Sequence, residues 1–280
     1  MFFDCWPVLF VDDEPDVLTL SRLAVRNFEV YGLPLKVYTA ASKAEAIRLL
    51  QENAELAGSL AVAFLDVVME SDHAGLDLCD YLRKEMGGAT QVFVRTGQAG
   101  LAPERDVIDK YDIAGYFSKT EMTQNKLYSV IKSSVRQYLA IGMSQATVDL
   151  LHSLIVALGS RERILEAVHP VAGMSEAQTA TPRWLIVGGE VLFGDEVDAA
   201  RALEVKQRLS ALPAAPLSPF GDTYVKDGEG YQRIHIAARP NATEADFIFK
   251  TRFAPPEQIV CMLHSFVSSF AVAWTQSAEN

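Results

Sequence analysis

Four apolar runs of strand length, each closing on a residue able to do chemistry, constrain this 280-residue chain more than any other feature. VLFVDDEPDV carries Asp12 and Asp13, LAVAFLD ends in Asp66, QVFVRT ends in Thr96, and GYFSK ends in Lys119. LAVAFLD is continuously apolar rather than alternating, the pattern of a strand covered on both faces. Helical stretches separate the runs. Short buried strands with polar C-terminal ends predict a parallel sheet with a site along one edge.

Taken in order, residues 8–11 predict a first strand, followed by an acidic turn (Asp12 to Glu14) and a helix opened by Pro15. Leu18, Leu20, Leu23, Ala24 and Phe28 form its expected apolar stripe. Residues 35–40 predict a second strand after the breaker Gly32-Leu33-Pro34, and Ser42 with Glu45 has capping-box spacing. Strands at 60–66, 91–96 and within 115–119 follow, interleaved with helices near 76–86, after Pro103, and from Thr120 onward. Five strand–helix units in about 140 residues predict a five-stranded, doubly wound, flavodoxin-like α/β domain over 1–140.

The strand ends hold the chemistry. Asp66, on the central strand, is a carboxylate able to accept a phosphoryl group as an acyl phosphate. Asp12 and Asp13 lie on the strand expected beside it, and with Asp66 they offer the oxygen-rich set that Mg²⁺ prefers. Lys119 would neutralise one phosphoryl oxygen, and the Thr96 hydroxyl would donate to another. Each motif alone is equally a turn or a cap; together, at one end of successive strands, they point to phosphoryl chemistry.

In VDDEPDV, LDVVM, RTG and YFSK this stretch resembles the receiver domain of two-component response regulators, from residue 8 to about 140. The resemblance implies phosphorylation on Asp66 by a sensor histidine kinase or phosphotransfer protein; with no cyclase or phosphodiesterase motif intact in the rest of the chain, no enzymatic activity beyond self-phosphorylation and dephosphorylation is expected. It implies Asp13 as direct Mg²⁺ ligand, Asp12 acting largely through water, and the Val68 backbone carbonyl completing the site. Thr96 and Tyr116 would be the switch pair. The chain departs from the pattern at Glu70 and Thr120, where prolines are usual, and the first loop is one residue longer. Val68 and Gln98 border the expected water path and supply no strong base, which predicts slow self-dephosphorylation.

Residues 141–280 predict a separate α+β domain: connecting helices to 168, a hairpin about Gly188-Gly189, a helix over 197–212, a second hairpin about Asp227-Gly228, a strand in DFIFKTRF, and a closing helix from Pro256 to about Trp274. On the first helix Val148, Leu151, Leu154, Ile155 and Leu158 form the expected apolar side, and Gly142 argues against one continuous coiled coil. The order of elements resembles a GAF-like domain of unknown function found between receivers and cyclic-di-GMP enzymes, and the chain would then stop where an enzymatic output begins. Gly188-Gly189-Glu190 resembles a diguanylate cyclase hairpin, yet Val191 and Leu192 stand where a second acid and a phenylalanine are needed. Among His152, His169, His235 and His264 no H-E-x-x-H or HD pair occurs. The expected output is therefore a contact with a downstream protein or a homodimer through this domain. A GAF-like domain that binds a small ligand is the alternative.

A net charge of −11, with 20 acidic and 14 basic residues before position 141 and 16 and 11 after it, leaves neither half a basic face for nucleic acid. Cys5, Cys79 and Cys261 form no C-x-x-C, so a reducing cytoplasm is expected. MFFDCWP lacks the basic start and cleavage site of a signal peptide, and uninterrupted apolar runs fall short of a membrane span.

Overall fold

The computed structural model describes residues 4–86, 88–97, 104–119, 123–172, 183–192 and 196–277. The chain divides into two compact units, Phe3–Gly142 and Met143–Asn280.

The first unit is built from β1 (Trp6–Val11), α1 (Pro15–Val25), β2 (Glu29–Val30), β3 (Leu33–Ala40), α2 (Lys43–Glu52), α3 (Ala54–Ser59), β4 (Val62–Asp66), α4 (Ala74–Glu85), β5 (Gln91–Thr96), α5 (Glu104–Tyr111) and β6 (Gly115–Ser118). The sheet runs β2-β3-β1-β4-β5-β6. All pairings from β3 to β6 are parallel. Without β2 this is the doubly wound flavodoxin-like order of a receiver-type fold, in which ligands sit beyond the carboxyl ends of the strands. The sheet gains a sixth strand because Tyr31 and Gly32, at φ 52° and 80°, make a two-residue turn that folds Glu29–Val30 back on Leu33–Pro34.

Helix α1 differs from its expected stripe. Ser21 and Val25 are buried, while Leu20 and Leu23 are 66% and 52% exposed. The inward line passes through 21 and 25, four residues apart, and a serine within it hides the period. Helix α4 begins two residues earlier than expected. Its first turn lies so close to the acceptor strand that a Cβ on Gly75 would overlap the Asp66 carbonyl oxygen; only glycine fits there. The Gly75 amide donates to the Val67 carbonyl at 3.1 Å, and the Val67 amide to Arg95 at 3.1 Å, which pins the long loop after Asp66 to its neighbouring strand.

Helix α6 (Gln124–Ala157) runs unbroken through Gly142 and ends before Gly159, whose φ of 92° is a left-handed stop. The second unit continues with α7 (Arg161–Ala172), β7 (Arg183–Val187), β8 (Glu190–Val191), α8 (Glu196–Ser210), β9 (Ala215–Pro216), β10 (Thr223–Lys226), β11 (Tyr231–Ile236), β12 (Ala245–Lys250) and α9 (Glu257–Gln276). Its sheet runs β8-β7-β12-β11-β10-β9 and every pairing is antiparallel, an α+β architecture. Leu150, Leu154 and Ala157 of α6, with Ile164, Phe266, Val267 and Phe270, cover one set of sheet residues. Ala202, Val205 and Leu209 of α8 pack with Trp184, Ile186 and Ile248. On α6 the buried line is thus 150, 154 and 157, and of the expected apolar side Val148, Leu151, Ile155 and Leu158 are exposed. Helices α6 and α9 are long and apolar enough to cross a membrane by length and composition. Both place residues in the packed core of the second unit.

Candidate functional site

The site starts from an aromatic row. Phe10, Phe64, Phe93 and Phe117 stack in series across β1, β4, β5 and β6, with ring centroids 4.9, 5.2 and 5.8 Å apart. Side chains two residues apart on a strand share a face. Two residues beyond each phenylalanine stand Asp12, Asp66, Arg95 and Lys119. The parallel register keeps three of them level, since Phe10 pairs with Phe64 and Asp66 with Arg95, whereas β6 is stepped by two residues and Phe117 stands level with Arg95. Asp12, Asp66 and Arg95 therefore form a row above the rings of their own strands, with Lys119 set one side-chain step further along.

Lys119 is the hub. Its Nζ lies 3.1 Å from Asp12 Oδ1, 3.0 Å from Asp66 Oδ2 and 2.8 Å from Glu14 Oε1. Burial works against its charge, but the bonds to Glu14, Asp66 and Asp12 outweigh it and hold the ammonium above its ordinary pKa. Burial raises the Asp66 carboxyl above its ordinary value; Lys119 offsets this in part, and Asp12 adds to it. Asp12 and Asp66 are almost wholly buried and Asp13 is exposed. Ligand atoms of the three lie within 4.8 Å of one another. Asp12 Oδ1 also accepts from the Glu14 amide at 3.1 Å, whereas its Oδ2 is buried without a hydrogen bond among the described residues. An oxygen-only cluster containing an unsatisfied buried carboxylate atom fits a hard divalent cation.

Thr96 ends β5, buried, in register with Ser118. Tyr116 is half-buried on β6, level with Val94, and packs against the core beneath the site. Val68 is half-buried in the loop after Asp66. Gln98 and Thr120 lie outside the described residues.

Three features escaped the sequence reading. Glu14, expected only as a turn residue, shares Lys119. Arg95 is 5% exposed: Nη1 donates to Ser21 Oγ at 3.1 Å, Nη2 lies 3.5 Å from Asp12 Oδ2, and the guanidinium sits 5.3 Å over the Phe10 ring and 5.9 Å over Phe64. The four-fold repeat of phenylalanine, any residue, charged residue was the signal that could have found it. In the second unit, His235 and His264 each contact a buried aspartate. Asp246 faces Arg233 Nε at 2.6 Å, Lys206 Nζ at 2.7 Å and His235 Nδ1 at 2.9 Å. Asp222 faces His264 Nε2 and Ser218 Oγ, both at 2.8 Å, and the Ala237 amide at 2.9 Å.

No family model matches the chain. A curated relative, 3'3'-cGAMP-specific phosphodiesterase 2 of Vibrio cholerae serotype O1, is 41% identical over 134 residues, which is 48% of this chain and 25% of the relative. The match thus spans about a quarter of that protein's length. Response-regulator receiver domains are among the solved structures similar to about half of the chain. One, from Clostridium thermocellum, is 21% identical with a TM-score of 0.41, covering 49% of this chain and 98% of its own. Another, the signal receiver domain of a putative Luxo repressor protein from Vibrio parahaemolyticus, is 15% identical with a TM-score of 0.42, covering 50% and 97%. The expectation of a chain with no enzymatic activity beyond its own phosphorylation is corrected by the first of these findings: the 41% identical relative is an enzyme. That expectation rested on motifs missing from residues 141–280, and missing motifs in one segment are silent on chemistry carried by other residue sets.

Proposed function

We propose that the first unit is the receiver of a two-component response regulator and that Asp66 is its phosphoacceptor. The observation that carries this is the Lys119 ammonium bridging Asp66 and Asp12 above the carboxyl ends of parallel strands. A carboxylate oxygen of Asp66 attacks the phosphorus of a phosphohistidine in a sensor kinase or phosphotransfer protein. The O–P bond forms as the P–N bond breaks, and the phosphohistidine ring, already protonated on its other nitrogen, leaves as neutral imidazole. Asp13 and Asp66 would hold Mg²⁺ directly, with the Val68 carbonyl, and Asp12 through water. When bound, the ion offsets the charge that gathers on the transferring oxygens. Lys119 exchanges Glu14 and Asp12 for a phosphoryl oxygen, and the Thr96 hydroxyl donates to another. Tyr116 turns inward as Thr96 moves, and the face around it carries the change.

The relative supports cyclic-dinucleotide hydrolysis as the output under control. We read the second unit as a GAF-like module that passes the change on, which its antiparallel sheet packed with helices supports. Acetyl phosphate with Mg²⁺ should give one acid-stable, base-labile phosphoryl adduct per chain, and a chelator should prevent it. Hydrolysis of 3'3'-cGAMP should differ between the phosphorylated and unmodified states. No adduct on the wild-type chain would remove the receiver assignment, and equal hydrolysis in both states would remove the assigned output.

A further inference from the structure

Arg95 is the member of the charged row that the phosphoacceptor scheme does not use. It is also the least free to move. Lys119 reaches the site on a flexible stem and can release one carboxylate for another. The Arg95 guanidinium is buried between the rings of Phe10 and Phe64 below and Ser21 of α1 beside it, and its Nη1 is committed to that serine. Among the described residues its Nη2 and Nε have no hydrogen-bond partner, and Nη2 stands 3.5 Å from Asp12 Oδ2, the carboxylate atom that also has none there. Two buried groups of opposite charge thus face each other across a distance too long for a hydrogen bond. Their interaction is chiefly charge with charge, and it needs no particular hydrogen to be in place.

Four carboxylates, Asp12, Asp13, Glu14 and Asp66, meet two cations here. Without Arg95 the same carboxylates would face Lys119 alone, and a dication would find one more uncompensated negative charge. Resting on the proposed cation site, we infer that Arg95 is a positioning residue and built-in counter-charge: it holds the Asp12 carboxylate in place, and it lowers the affinity of the acidic cluster for a divalent cation. The effect is electrostatic, so it follows the charge at position 95 rather than the shape of the side chain. A receiver site so balanced is loaded weakly at rest and gains affinity when a phosphoryl group adds negative charge.

The test is calorimetric titration of MgCl₂ into the full chain, unphosphorylated. Arg95→Met keeps an unbranched apolar stem over the two rings and removes the charge; Arg95→Lys keeps the charge. Arg95→Met should bind Mg²⁺ roughly tenfold more tightly than wild type, since a unit charge a few ångströms from a dication is removed. Arg95→Lys should stay within about threefold of wild type, as a fixed charge requires. Folding of each variant is checked by circular dichroism. A folded Arg95→Met with unchanged or weaker binding overturns the inference. If Arg95→Met does not fold, the lysine variant decides alone, and an affinity outside that range overturns it. Asp13→Asn separates the two levels of the claim: if wild-type heat is not lost in that variant, the cation site itself is wrong.

Discussion

Replacing Asp66 with asparagine is expected to abolish phosphorylation and, in the presence of a chelator, to raise the melting temperature at neutral pH. The two outcomes have one cause. Asp66 is buried beside Asp12, and burial raises its pKa in the folded chain more than Lys119 lowers it. An acid that holds its proton more tightly when folded loses folding stability as pH rises from its ordinary value, about 4, through the raised one. At low pH both forms carry a neutral group at position 66 and should melt alike; near pH 7 the asparagine variant should melt higher. Lys119 keeps Asp12 and Glu14 as partners in that variant. Thermal melts at pH 4 and pH 7 with EDTA check the sign. A variant that melts lower than wild type at pH 7 would mean that the Lys119–Asp66 pair outweighs the burial of the carboxylate.

The opposite behaviour is expected at Asp246. This carboxylate is fully buried between Arg233, Lys206 and His235. Burial alone would raise its pKa, but His235, Arg233 and Lys206 together bring it down to about 2. Asp246→Asn leaves the buried Arg233 without its counter-charge and Lys206 with Glu244 alone, and breaking such a buried pair costs about 3 kcal/mol or more. The urea midpoint of the second unit, followed through the buried Trp184 and Trp274, should fall accordingly. A depressed acid contributes fully above its ordinary pKa, and that contribution is lost as pH falls toward the depressed value. The gap between variant and wild type should therefore narrow below about pH 4. A variant as stable as wild type at pH 7 would show that the cluster is solvated in solution.

The parts legible in sequence were those where a local pattern and the fold agree. Strand ends in Asp66, Thr96 and Lys119 marked the sheet edge, and the hairpin at Gly188-Gly189 fell where expected because two glycines accept positive φ. The misses have physical causes. Arg95 stands inside an apolar strand, one residue before the threonine that drew attention, and its partner Ser21 is 74 residues away. Ser21 in turn broke the apolar line of α1, so Leu20 and Leu23 were placed inward. On α6 the expected apolar side mixed two faces, and burial selected Leu150, Leu154 and Ala157. The aspartates under His235 and His264 are 11 and 42 residues distant, beyond the reach of any spacing rule. Those contacts are set by sheet register, which a single sequence does not display.

The central claim is that one carboxylate of the cluster, and not its neighbours, accepts the phosphoryl group. Borohydride reduces an acyl phosphate but not a free carboxylate, so reduction after treatment with acetyl phosphate and Mg²⁺ converts the acceptor aspartate to homoserine. Peptide mass spectrometry should then find homoserine at position 66 and unaltered aspartate at Asp12 and Asp13. Homoserine at either of those positions, or none in a chain that is folded and supplied with Mg²⁺, would contradict the account.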